Sequence, residues 1–126
     1  MTHDTLEKLT QDFFAAITRR EWTDALERVH PDGRARQNIS GEEVDARTLL
    51  TSMRGLVESL KSFAYENPRR IISDHAVVEQ HDVRMTRKDG VEIVIDICIL
   101  LRFDEDGKII RIDEYLDSAQ VSALLA

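Results

Sequence analysis

The chain has 126 residues, of which 42% are hydrophobic and 33% charged, a length and composition that suit one globular domain over 1–126 with a core needing no metal or disulfide. Its 17 Lys and Arg against 24 Asp and Glu leave a net charge of −7, which argues against nucleic acid or an anionic membrane as partner, since either calls for a basic surface. The single cysteine, Cys98, has no internal partner, no charged-then-apolar leader opens the chain, and the longest apolar run, residues 97–101, is too short to span a bilayer; a cytoplasmic location is expected.

Leu6, Leu9, Phe13 and Ile17 recur at helical spacing behind Asp4 as a candidate N-cap. Arg19-Arg20-Glu21 breaks that stripe, and a short second helix follows with Trp22, Ala25, Leu26 and Val29 on one side. His30-Pro31-Asp32-Gly33 reads as a turn, and residues 34–39 as a short strand. Ser40-Gly41-Glu42-Glu43 has capping-box spacing, and Asp45 is an equally good cap, for a third helix carrying Leu49, Leu50, Met53, Leu56, Val57 and Leu60.

Beyond Lys61 the period shortens to two. Residues 63–73 form a strand broken at Asn67-Pro68, which assigns it to an edge or a bend. Residues 75–86, 91–103 and 109–117 follow as strands, joined by turns that end in Asp89-Gly90 and Asp106-Gly107, and residues 118–126 close in a helical turn. Helices first and hairpin-linked strands afterwards make an α+β fold, three helices packed on a mostly antiparallel sheet.

Along residues 91–103 every odd position is apolar, while the even face mixes Glu92, Asp96 and Arg102 with Val94, Cys98 and Leu100. In the last strand Glu114 shares a face with Ile110, Ile112 and Leu116. A carboxylate among apolar neighbours is costly to bury unless it is paired or used, and its pKa should rise, as suits a general base. His81 sits on a face with Val77, Val83 and Met85, with Glu79 between them. No Gly-rich phosphate loop, nucleophile elbow or cysteine pair is present. His75 and His81 share a strand face but lie about 20 Å apart, too far for one metal. No metal and no cofactor is expected.

Several strings carry a wider resemblance: Val29-His30-Pro31-Asp32, Gln37-Asn38-Ile39-Ser40-Gly41, the third helix, residues 103–111 and Asp113-Glu114-Tyr115-Leu116-Asp117-Ser118. With this order of elements the chain resembles the nuclear transport factor 2-like superfamily, the cone-shaped α+β barrel of SnoaL-like polyketide cyclases, ketosteroid isomerases and limonene epoxide hydrolases. The catalytic Tyr, Asp and Asp of the isomerases fall on Phe13, Asn38 and Ile99, so that mechanism is not expected. Against the epoxide hydrolases, Asn38 matches the water-holding Asn and Glu114 the base Asp; Arg36 replaces the Tyr, His81 the Arg and Val83 the acid Asp.

The resemblance implies a strongly curved sheet and an apolar cavity between it and the helices, with Glu114 as base, Asn38 holding water or a substrate oxygen, and His81 as acid. Phe13, Ile17, Trp22, Met53 and Val83 are expected in its lining, with Ile99, Ile112 and Leu116 on its sheet side and Arg36 and Tyr65 near its entrance. Two functions remain open: an enzyme acting without a cofactor on a small apolar metabolite, by hydrolysis, isomerisation, cyclisation or dehydration, and a non-catalytic module that binds a hydrophobic ligand or dimerises. A homodimer through the outer sheet face, with Cys98 and Leu100 in it, is expected of either.

Overall fold

A computed structural model describes residues 1–125, so Ala126, the last residue of the expected closing turn, lies outside the described residues. Helix α1 (His3–Thr18) begins two residues earlier than an Asp4 cap allows, because the Thr2 side chain accepts from the Thr5 N–H. It buries Leu6, Phe13, Phe14 and Ile17 on one face. Helix α2 (Trp22–Glu27) follows, and strand β1 (Val29–Gln37) starts at once.

The expected turn at residues 30–33 is thus absorbed into β1, as an irregularity in its pairing between Val29 and Arg34. The reason is steric as much as conformational. A Cβ on Gly33 would lie 3.1 Å from the His30 carbonyl oxygen and 3.2 Å from that of Ile109, so the bare backbone lets β1 press against its neighbours. A turn at residues 38–40 leads the chain into the short strand β2 (Glu43–Asp45), and Asp45 rather than Ser40 caps helix α3 (Ala46–Ser59) by accepting from the Thr48 N–H.

Strands β3 (Ser62–Ile72), β4 (Ala76–Thr86), β5 (Glu92–Phe103) and β6 (Ile109–Leu116) build the rest of one six-stranded sheet, ordered β2-β1-β6-β5-β4-β3. Only the β1–β6 pair is parallel. The sheet is curved but unclosed, with β2 and β3 at its edges. Asn67 takes a positive φ of 55° where the β3–β4 register shifts, which explains how an edge strand carries Pro68. Helix α4 (Ser118–Leu125) packs on β5, tied by reciprocal bonds between the Gln120 side chain and the Asp96 amide and carboxylate.

The odd face of β5 is the core face, with Ile93, Ile95, Ile99, Leu101 and Phe103 buried. The even face looks outward. One inward assignment on β6 changes. The β5–β6 register skips Ile110 between Arg102 and Phe103, so Ile109 and Ile112 are buried while Ile110 is exposed. Among the described residues no helix is long and apolar enough to cross a membrane.

Candidate functional site

Under the helices the inner face of the sheet does not close completely, and a cavity of about 270 Å³ remains. Phe13, Phe14 and Ile17 of α1 wall one side, Leu50, Met53 and Leu56 of α3 another, and Val121 and Leu124 of α4 a third. Ile95, Ile97 and Ile99 form the floor. Ile39 and Ser52 are its exposed lining residues, which sets the mouth between the end of β1 and the middle of α3. In this apolar shell the polar side chains are few: Gln37, Ser52, Tyr65, His81 and Glu114.

The sheet register aligns the charged ones. Gln37 pairs with Glu114, Glu114 with Ile99, Ile99 with Glu79, and Glu79 with Arg70, one row across five strands. Glu114 and Glu79 therefore flank the β5 floor two strand spacings apart, roughly 10 Å between backbones. His81 lies one inward position along β4 from Glu79, in the row of Ile97 and Leu116.

Gln37 Nε2 donates to Glu114 Oε1 over 2.8 Å. Burial of the carboxyl pushes the Glu114 pKa up, while the Gln37 hydrogen bond and a charge on His81 pull it back down. Glu114 as a residue is only partly covered because it faces the cavity, yet its carboxyl lies deep among protein atoms. Burial also holds the Tyr65 phenol well above its ordinary pKa, helped by the charges of Glu114 and Glu79, so it stays a neutral O–H whose closest polar partner is the Met53 sulfur at 4.0 Å.

His81 is 2% exposed. Its Nδ1 lies 2.6 Å from Glu79 Oε2, and Glu79, itself buried, is bound through its other oxygen by Arg70 Nε. Phe14 and Tyr65 meet the imidazole edge-on, with ring centroids 5.1 and 4.8 Å away.

Phe13, Ile17, Met53, Tyr65, Val83, His81, Ile99, Ile112, Glu114 and Leu116 all line this one cavity. Three expected members do not. Asn38 is exposed, and its amide pins the end of β6, accepting from the Leu116 N–H at 2.8 Å and donating to the Leu116 carbonyl at 3.0 Å. Arg36 shares the outward parity of β1 and donates to the Gly41 carbonyl. Trp22 is buried in the core, away from the cavity, with no hydrogen-bond partner for its indole N–H among the described residues.

Gln37 and Glu79 are the polar residues that sequence reasoning passed over. The signal for Gln37 was its two-residue spacing from Ala35, which is fully buried; the motif match had favoured its neighbour. Glu79 stood in plain view between Val77 and His81 on one strand face. Among the described residues no group of three or more His, Cys, Asp and Glu side chains is placed to hold a metal.

A helix-covered, curved α+β sheet enclosing an apolar cavity, with a carboxyl on the last strand, defines a class of small cavity-bearing folds. The SnoaL-like domain model matches residues 10–112, and the chain belongs to that family. No curated protein sequence matches it. Solved structures agree on the fold. AclR from Streptomyces galilaeus superposes with a TM-score of 0.85 at 16% identity, covering 98% of this chain and 82% of that one. An NTF2-like protein of unknown function from Burkholderia pseudomallei K96243 gives 0.80 at 18% identity, with 98% of both chains covered. An LEH-like epoxide hydrolase from M. tuberculosis gives 0.77 at 12% identity, covering 96% of this chain and 89% of that one. At such identities the likeness is one of fold, and chemistry has to be argued from the site.

Proposed function

We propose that the protein is an enzyme that needs no cofactor and acts on a compact apolar metabolite by proton transfer, with Glu114 as general base and His81 as general acid. The observation that carries this reading is Glu114: a carboxyl raised by burial, facing an apolar cavity and oriented by one amide. A raised pKa makes the carboxylate a stronger base than a surface one, and the surrounding apolar walls keep bulk water from competing. Glu114 takes a proton from the substrate or from a water held beside it. Protonated His81 gives one to the oxygen where negative charge develops, and before the next turnover Glu114 releases the proton it gained and His81 takes up the one it lost. Gln37 takes the amide role assigned from sequence to Asn38.

The cavity volume sits just below the range of roughly 300–1,000 Å³ that drug-sized ligands occupy, which favours a small substrate. The epoxide hydrolase among the similar structures makes strained epoxides the natural first probes, and enolisable ketones test the proton-abstraction branch. The test is turnover of a panel of both by the purified protein, with Glu114→Gln alongside. Conversion by the wild type that falls about 10²–10⁴-fold in the variant supports the reading. Binding without conversion of any panel member favours a ligand-binding module, for which the predominantly apolar lining is equally suited.

The protein is also proposed to pair through its outer sheet face. Ile71, Val78 and Leu100 lie in register on β3, β4 and β5 as a continuous outward apolar row, with Ile71 75% exposed. The Glu43, Arg111 and Asp113 ion pairs lie toward the opposite edge. Light scattering at micromolar concentration should give twice the mass of one chain; a single-chain mass would contradict the pairing.

A further inference from the structure

We infer that Glu79 and Arg70 form a positioning pair that fixes the His81 tautomer, leaving Nε2 as the nitrogen that meets whatever occupies the cavity; this rests on the reading of His81 as a proton carrier. Glu79 is 1% exposed and reaches His81 Nδ1 over 2.6 Å with one oxygen. Its other oxygen is held by Arg70, whose guanidinium also comes within 3.5 Å of Glu7 on α1. Arginine is not deprotonated in proteins, so its charge keeps Glu79 an acceptor rather than a proton thief. An anionic acceptor at Nδ1 requires the proton on Nδ1, and the neutral ring must then carry its lone pair on Nε2. Among the described residues nothing is hydrogen-bonded to Nε2.

The side chains around His81 agree with that assignment, and its register partner on β5, Ile97, is apolar. From β3, Tyr65 presents an aromatic edge and a phenol that stays protonated. From α1, Phe14 contributes only an apolar edge. From β6, Glu114 is near enough for a charge on His81 to lower the Glu114 pKa. Next to it on β4, Asp82 points to the opposite face, bound to Asn67. The ring is thus clamped edgewise by two aromatics, aimed by one carboxylate, and free at one nitrogen. This is the arrangement by which a carboxylate orients a catalytic histidine without touching substrate, and it makes Glu79 a positioning residue.

The tautomer is what the Glu79 contact fixes, so the tautomer is the first measurement, and the kcat of a Glu79 variant separates positioning from a merely structural pair. The chain has four histidines, and long-range proton–nitrogen NMR on the intact wild-type protein, with His81→Asn to assign the signal, reads the ring directly. The expected result above the pH at which the ring is charged is a protonated Nδ1 and a lone-pair Nε2. The opposite tautomer, or an averaged pair like that of a free imidazole, overturns the inference. Glu79→Gln keeps the shape and an acceptor oxygen but removes the charge; on a panel compound that turns over it should lower kcat at least ~10-fold with KM little changed. An unchanged kcat overturns the inference, even where Glu114→Gln is inactive. If no compound turns over, the catalytic reading fails, and the wild-type spectrum still decides the Glu79 assignment.

Discussion

Gln37 and Glu114 sit directly opposite each other in the parallel β1–β6 pair, and the Gln37 amide donates to the Glu114 carboxylate over 2.8 Å. That bond favours the charged carboxyl where burial disfavours it. Replacing Gln37 with Leu keeps the bulk and removes the donor. The Glu114 pKa in Gln37→Leu should move further up than in the wild type, as read by carbon NMR of the side-chain carboxyl across a pH titration. An unshifted titration would mean that the amide does not govern the acid.

The same burial makes stability depend on pH. Because the Glu114 pKa is raised in the fold above its ordinary 4.5, the folded state keeps a proton that the unfolded chain has already released. Its contribution to stability is complete below the ordinary value and declines as pH climbs through the raised one. Glu114→Gln removes this decline while still accepting from Gln37. Its Tm should exceed that of the wild type by a few degrees at about pH 8, and the two should converge near about pH 4. Parallel melting curves at both pH values check this.

Most of the fold could be read from sequence, and the misplacements have physical causes. The helical stripe from Leu49 to Leu60 and the alternation from Ile93 to Phe103 each bury a face, so periodicity found both, though Val91 at the start of that alternation is exposed. The β1 segment buries little besides Val29, Gly33 and Ala35, and weak patterning let a Pro-Asp-Gly string pass for a turn when close packing on Ile109 decides its path. Local strings gave Asn38 the cavity position, whereas pairing with β6 gives it to Gln37. Ile110 was placed inward because a skipped residue in a register leaves no mark in the sequence.

Arg70 and Glu79 are a test of buried-charge energetics. Arg70→Met strips Glu79 of its permanent counter-charge and should destabilise the fold by about 3–5 kcal/mol in urea unfolding. Adding Glu79→Leu removes the stranded charge, and most of that loss should be recovered. A double variant as unstable as the single one would show that packing, not charge, is what the pair supplies.

The cavity can be closed from within. Val83 is buried and lines it, so the ring of Val83→Phe has space to enter without displacing the core. Stability should fall by less than the roughly 1–3 kcal/mol that added bulk costs in a filled core. Benzene, small enough for an apolar cavity of this size, should perturb the methyl signals of Ile95, Ile97 and Ile99 in the wild type and leave them unmoved in the variant. Perturbation of the same size in both would place the binding elsewhere.

The role of Glu114 as base is tested most directly by the pH–rate profile of wild type and Glu114→Gln on the panel compound that turns over fastest. The account predicts a wild-type profile whose acidic limb follows a carboxyl titrating above its ordinary value. In the variant the rate should fall by about 10²–10⁴-fold and that limb should be lost. A Glu114→Gln enzyme with an unchanged rate and the same acidic limb would contradict it.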